Sequence, residues 1–64
     1  MKITSDTTLA ALGDELRDRR LDLFVKIVPQ GFDVTVRGVV RSGTARESTL
    51  HAAIDQALRA YEVA

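Results

Sequence analysis

Between Leu50 and Tyr61 the apolar residues Leu50, Ala53, Ile54, Ala57, Leu58 and Tyr61 recur at spacings of three and four, a pattern that an α-helix gathers onto one face. Arg46, Asp55, Gln56, Arg59 and Glu62 fall on the other side, where water solvates them. Thr44-Ala45-Arg46-Glu47 fits a capping box, with the threonine hydroxyl bonding ahead and the Glu47 carboxylate reaching back, so the helix is expected to begin at Thr44. Gly43 before it reads as the end of whatever came earlier. A helix with so continuous a stripe must be covered, and the rest of the chain has to supply the cover.

The same reasoning predicts a first helix from Thr7 or Thr8, either of which can cap it, to about Arg20. Leu9, Leu12 and Leu16 form its apolar stripe, with Ile3 packing ahead of the cap. Glu15 and Arg19 make a favourable pair one turn apart, and Arg17, Arg19 and Arg20 sit where the helix dipole prefers cations. From Leu21 the period shortens to two. Leu23, Val25 and Ile27 alternate with Phe24, Lys26 and Val28, and Phe32, Val34 and Val36 alternate with Asp33, Thr35 and Arg37. Pro29-Gln30-Gly31 between the runs is a turn by composition, which makes them a β-hairpin, with Val39-Val40 extending its second strand toward Arg41.

Width then becomes the problem. A hairpin spans about 10 Å and each helix is itself about 10 Å across, so a lone hairpin is too narrow for both helices. Either the segment from Gly38 to Ser42 folds into a short extra strand, or a second copy continues the sheet. With no proline inside the strands to block an edge, the expectation is the second. The fold class is therefore α+β, helix–β-hairpin–helix in two layers, the antiparallel sheet continued across a homodimer, with residues 1–64 as a single domain.

Composition removes several functions. The 64 residues contain no cysteine, which excludes disulfides and thiolate metal sites. Nine basic and nine acidic side chains leave no net charge to draw nucleic acid or anionic lipid. No apolar run approaches the roughly 20 residues that span a bilayer, and Met1-Lys2-Ile3-Thr4-Ser5-Asp6 lacks the apolar core of a signal peptide. The expected location is cytoplasmic.

Chemistry is scarce as well. His51 is the one histidine, without a second histidine or a cysteine to complete a zinc site. Ser48 and Asp55 lie one helical turn from it, a spacing compatible with acid–base work, although a surface histidine is much the commoner case. Asp14, Glu15, Asp18 and Asp22 are interspersed with arginines, as on a solvated charged face. Gly31, Gly38 and Gly43 lack a phosphate-cradle spacing. The expectation is no enzyme, no cofactor and no metal.

What remains is a surface. If the helices cover Leu23, Val25, Ile27, Phe32, Val34 and Val36, the opposite face presents Phe24, Val28 and Val39 among Lys26, Thr35, Arg37 and Arg41. Apolar groups rimmed by cations suit a protein partner, and Phe24, Lys26, Val28, Arg37, Val39 and Arg41 are the candidate contacts. The same residues would equally serve as a dimer contact or as bare surface.

The stretch from Gly43 to Leu58, with Ala53-Ile54 and Ala57-Leu58 on its core face, resembles the last helix of double-stranded RNA-binding domains. That family also begins with an amphipathic helix followed by strands. The stretch is similar as well to HicB-type antitoxins, where a strand leads through Gly-Thr into an Ala-Ile-x-x-Ala-Leu helix, and to short proteins encoded by bacteriophages and their hosts. The resemblance implies a sheet under helices and an origin in phage or mobile elements. The RNA-binding family places lysines at the start of its last helix, where this chain has Arg46, Glu47, Thr49 and Leu50, and its third strand and Gly-Pro-x-His loop are not read here. The functional expectation is a non-catalytic binding or regulatory module contacting another protein. The alternative is a degenerate nucleic-acid binder using Lys26, Arg37, Arg41 and Arg46.

Overall fold

In the computed structural model, which describes residues 3–64, the order is helix α1 (Leu9–Asp18), strands β1 (Asp22–Val28), β2 (Gly31–Arg37) and β3 (Ser42–Glu47), and helix α2 (Leu50–Val63). Met1 and Lys2, where the reading of the N-terminus began, lie outside the described residues. The strands form one antiparallel sheet in the order β1-β2-β3. The α+β class, the two layers and the hairpin are as expected. The third strand is added, and it removes the width argument for a dimer, because the sheet is no longer a lone hairpin.

Register divides the sheet cleanly. On one face stand Leu23, Val25 and Ile27 of β1, Phe32, Val34 and Val36 of β2, and Gly43, Ala45 and Glu47 of β3. Val34 and Val36 are fully buried there, in a core completed by Ile3, Leu12, Leu16, Leu21, Ala53, Ile54, Ala57 and Leu58. Both helices therefore lie on this face. The expected stripe of α2 is the buried one, with Leu50 and Tyr61 partly buried at its ends.

The start of α2 departs from the capping-box expectation. Gly43 and Ala45 point to the core while Thr44 and Arg46 point away, the period of a strand. Thr44 Oγ1 lies 3.2 Å from Thr35 Oγ1 across the ladder and caps nothing. Thr49 is the N-cap, its hydroxyl accepting from Ala52 N–H at 3.3 Å. Two threonines compete for the cap, and the ladder to β2 takes the first. The small residues of β3 have a purpose: a Cβ on Gly43 would run into the backbone of Ala57 and Tyr61, so glycine lets α2 settle directly on the strand. A Cβ on Gly38 would meet the Tyr61 ring.

Helix α1 is capped by Thr8, whose hydroxyl accepts from Ala11 N–H at 3.1 Å. It ends in a Schellman motif: Leu21 N–H donates to Leu16 O at 2.9 Å and Arg20 N–H to Arg17 O at 3.1 Å, with Arg20 at φ 56°. Leu16 and Leu21, which that motif brings together, are both buried. Leu9, expected in the stripe, is 73% exposed, because the first turn of α1 overhangs the core. Ile3 is buried and its N–H donates to Asp55 Oδ1 at 3.3 Å, so it is tied to α2 rather than to the cap of α1. Val39 and Val40 do not extend β2. Gly38 N–H donates to Arg41 O at 2.8 Å, and the two valines form the exposed tip of the β2–β3 turn.

Two alanine substitutions test this packing. Gly13 of α1 has open space where its Cβ would be, so Gly13→Ala is expected to stabilise the protein by about 0.5–1 kcal/mol. Gly43→Ala must push α2 off β3 and is expected to destabilise it by about 1–3 kcal/mol or more. Thermal melts of the two variants should move in opposite directions.

Candidate interaction surface

Helix α2 lies over β3 and β2, whereas α1 touches β1 only lightly. Cover therefore fades along β1. Leu23 is half-buried, but Val25 is 46% exposed and Ile27 79% exposed. Both were expected in the core. They are on the core-facing side of the sheet, as alternation requires, but at a place no helix reaches.

Among the described residues no helix covers the opposite face of the sheet. Its cross-strand rows run Asp22, Arg37, Ser42; then Phe24, Thr35, Thr44; then Lys26, Asp33, Arg46; and finally Val28 beside Gly31. Phe24 is half exposed, with the Arg37 guanidinium 5.0 Å from its ring centroid. Arg46 donates to Asp33 Oδ2 at 3.2 Å. Of the candidate contacts, Phe24, Lys26, Val28 and Arg37 are gathered on this face. Val39 and Arg41 are not. Val39 belongs to the turn tip, and Arg41 stands 4.5 Å over the Tyr61 ring with its guanidinium donating to the Ala64 carbonyl at 3.4 Å. Both turn off the face because β2 ends at Arg37 and the chain reverses through Val39 and Val40.

The backbone of β1 completes the picture. Antiparallel ladders alternate hydrogen-bonded with open pairs. Gly38 and Arg41 bond across the β2–β3 turn, so the even-numbered residues of β2 bond to β3 and the odd-numbered ones to β1. By register, Asp22, Phe24, Lys26 and Val28 then bond to β2, and Leu23, Val25 and Ile27 direct their N–H and C=O groups out from the sheet edge. The strand has seven residues, an unbroken register and no proline within it. Lys26 is its only cation. An edge of this kind is open to another strand. The other edge, β3, carries Ser42, Thr44 and Arg46 on one face and Gly43, Ala45 and Glu47 on the other, with no large apolar side chain.

Of the polar groups weighed for catalysis, His51 and Asp55 are engaged in hydrogen bonds within the fold. His51 Nε2–H donates to Thr7 O at 2.9 Å, fastening the entry of α1 to the first turn of α2. Asp55 accepts from Ile3 N–H and, at 3.0 Å, from Arg59. Ser48 is exposed just ahead of the cap. Asp14 pairs with Arg17 at 3.6 Å and Glu15 with Arg19 at 3.8 Å. Among the described residues no cluster of histidine and carboxylate side chains is placed to hold a metal ion, and no helix is long and apolar enough to cross a membrane. The chain has no significant match among protein-family models, curated proteins or solved structures.

The missed residues are Val25 and Ile27. Alternation places them on the core-facing side but carries no signal of how far α1 extends over β1. Ile27→Lys replaces a side chain that touches little and is expected to change stability by less than about 0.5 kcal/mol, whereas Val34→Ala, directly under the helices, should destabilise by roughly 1–3 kcal/mol. Chemical denaturation of the two variants checks the contrast.

Proposed function

We propose that this chain is a non-catalytic binding module that accepts an extended protein strand along β1, a second copy of itself being the first candidate. The observation that carries the reading is the pairing of an unbonded edge with apolar side chains exposed on both of its faces: Phe24 on one, Val25 and Ile27 on the other. Strand addition takes affinity from the backbone and specificity from alternating side chains, and β1 offers both. The absence of cysteine suits a reducing compartment such as the cytoplasm.

The nucleic-acid reading has less support. Arg46 is paired with Asp33, Arg37 lies over Phe24 and Arg41 over Tyr61, while Asp22 and Asp33 stand among the cations of the open face. Phosphate recognition wants a cluster of free cations and shows itself as a steep salt dependence.

Val25→Pro separates these readings. Its N–H points away from β2, so proline there blocks an incoming strand without breaking the hairpin. Random linear peptides selected against the wild-type chain, immobilised at low density, are expected to be rich in alternating apolar residues, to bind almost independently of salt, and to be lost with Val25→Pro. Peptides that bind the proline variant equally well, or retention of duplex RNA that falls steeply with salt, would contradict the proposal.

A further inference from the structure

Resting on that reading, we infer that the occupant of the β1 edge is the β1 strand of a second copy, antiparallel and centred on Phe24. Charge and strand parity select this arrangement. A two-fold dimer sets the same strand on both sides. Only residues whose backbones point outward can bond across the edge, so odd-numbered residues of one strand must meet odd-numbered residues of the other. That leaves few registers.

Centring the two-fold on Lys26 sets two ammonium groups opposite each other, which disfavours it. Centring it on Val25 places Asp22 against Val28 and Lys26 against Phe24, so neither charge gains a partner across the dimer. Centring it on Phe24 gives both charges of the strand an opposite charge across the dimer. Asp22 and Lys26 lie two residues to either side of Phe24 on the same face. The two-fold therefore sets each Asp22 opposite the partner's Lys26. Leu23 then meets the partner's Val25 on the core-facing side, in hydrogen-bonded pairs. The two Phe24 rings meet in an open pair, where side chains approach most closely. Three strands become six, Val25 gains an apolar neighbour, and no charge on β1 is left facing a like charge. β3 offers no comparable pairing, because its only charges, Arg46 and Glu47, are adjacent and point to opposite faces.

A charge swap tests both the occupant and the register. The wild-type chain is expected to sediment at twice its 7.0 kDa mass. Lys26→Asp places carboxylates opposite each other at two symmetric positions and should weaken the dimer by about tenfold or more. Asp22→Lys should do the same. The double variant restores both pairs and should return the affinity to within about threefold of wild type. Within one protomer the double variant has no such compensation: Lys26 faces Asp33 and Asp22 faces Arg37, so each change is unfavourable there, and recovery can come only from the partner. Far-UV circular dichroism establishes that each variant folds. Isotope-filtered NMR on a mixture of labelled and unlabelled wild-type chains gives a second readout, with contacts expected between Phe24 and the partner's Phe24 and between Leu23 and the partner's Val25.

A dimer whose double variant stays as weak as the singles, or that lacks the Phe24 contact, overturns this register. A wild-type chain that remains monomeric at millimolar concentration overturns the second copy as occupant, yet leaves the edge reading standing if Val25→Pro still abolishes peptide binding. A dimer that Val25→Pro and Lys26→Asp both leave intact overturns the inference and the edge reading together.

Discussion

The fit of α2 into β3 at Gly43 determines most of this molecule. Helices normally stand off a sheet by the depth of the side chains between them, but here the backbone of Ala57 and Tyr61 sits where a Cβ on the strand would be. With Ala53 and Ala57 fully buried on the helix side, the contact is made by small residues on both partners. The larger side chains Ile54 and Leu58 are buried in the common core with Val34 and Val36 of the central strand. Once α2 is committed to β3 and β2, only α1 remains for β1. Ten residues of α1, anchored by Leu12 and Leu16, leave the second half of the strand uncovered.

That division of labour explains why one strand carries the candidate surface. β2 is paired on both sides, with Val34 and Val36 buried beneath the helices, and β3 is overlaid by α2. β1 has one free backbone edge, a half-covered inner face and an uncovered outer face. Its apolar side chains are the ones whose burial a partner would complete. An exposed apolar strand edge is a liability unless something pairs with it, and β1 is guarded by little more than Lys26 and by Pro29 just beyond its end.

Much of the architecture was legible before the structure, and the reasons differ by element. The α2 stripe could be read because six apolar residues repeat at helical spacing, and the β1–β2 hairpin because two alternating runs flank Pro29-Gln30. β3 escaped because Ser-Gly-Thr-Ala-Arg-Glu lacks the bulky β-branched residues that mark a strand. Its smallness is what the close approach of α2 requires. Thr44 and Glu47 happen to stand at capping-box spacing, and Thr49 gave no louder signal although it holds the cap. For the surface, alternation correctly separated Phe24, Lys26, Val28 and Arg37 from Leu23, Val25 and Ile27. It gives the face of a side chain but not how far a neighbouring helix extends over it, so Val25 and Ile27 were assigned to a core that does not reach them. Val39 and Arg41 were misplaced because two β-branched residues read as strand where the register makes them a turn tip and its flank.

Residue-resolved hydrogen exchange across a dilution series tests the central claim most directly, since it reports which strand has an open edge. At the highest dilution the amides of Val34 and Val36 are expected to exchange slowest in the sheet, while those of Leu23, Val25 and Ile27 exchange orders of magnitude faster than their neighbours Phe24 and Lys26. On concentration the amides of Leu23 and Val25 should become protected together, while Ile27, which lies beyond the paired segment, stays fast. Edge amides that are already as protected as Val34 at high dilution would mean that β1 is covered within the protomer, and Leu23 and Val25 amides that stay fast at every concentration would mean that nothing of this chain pairs with that edge.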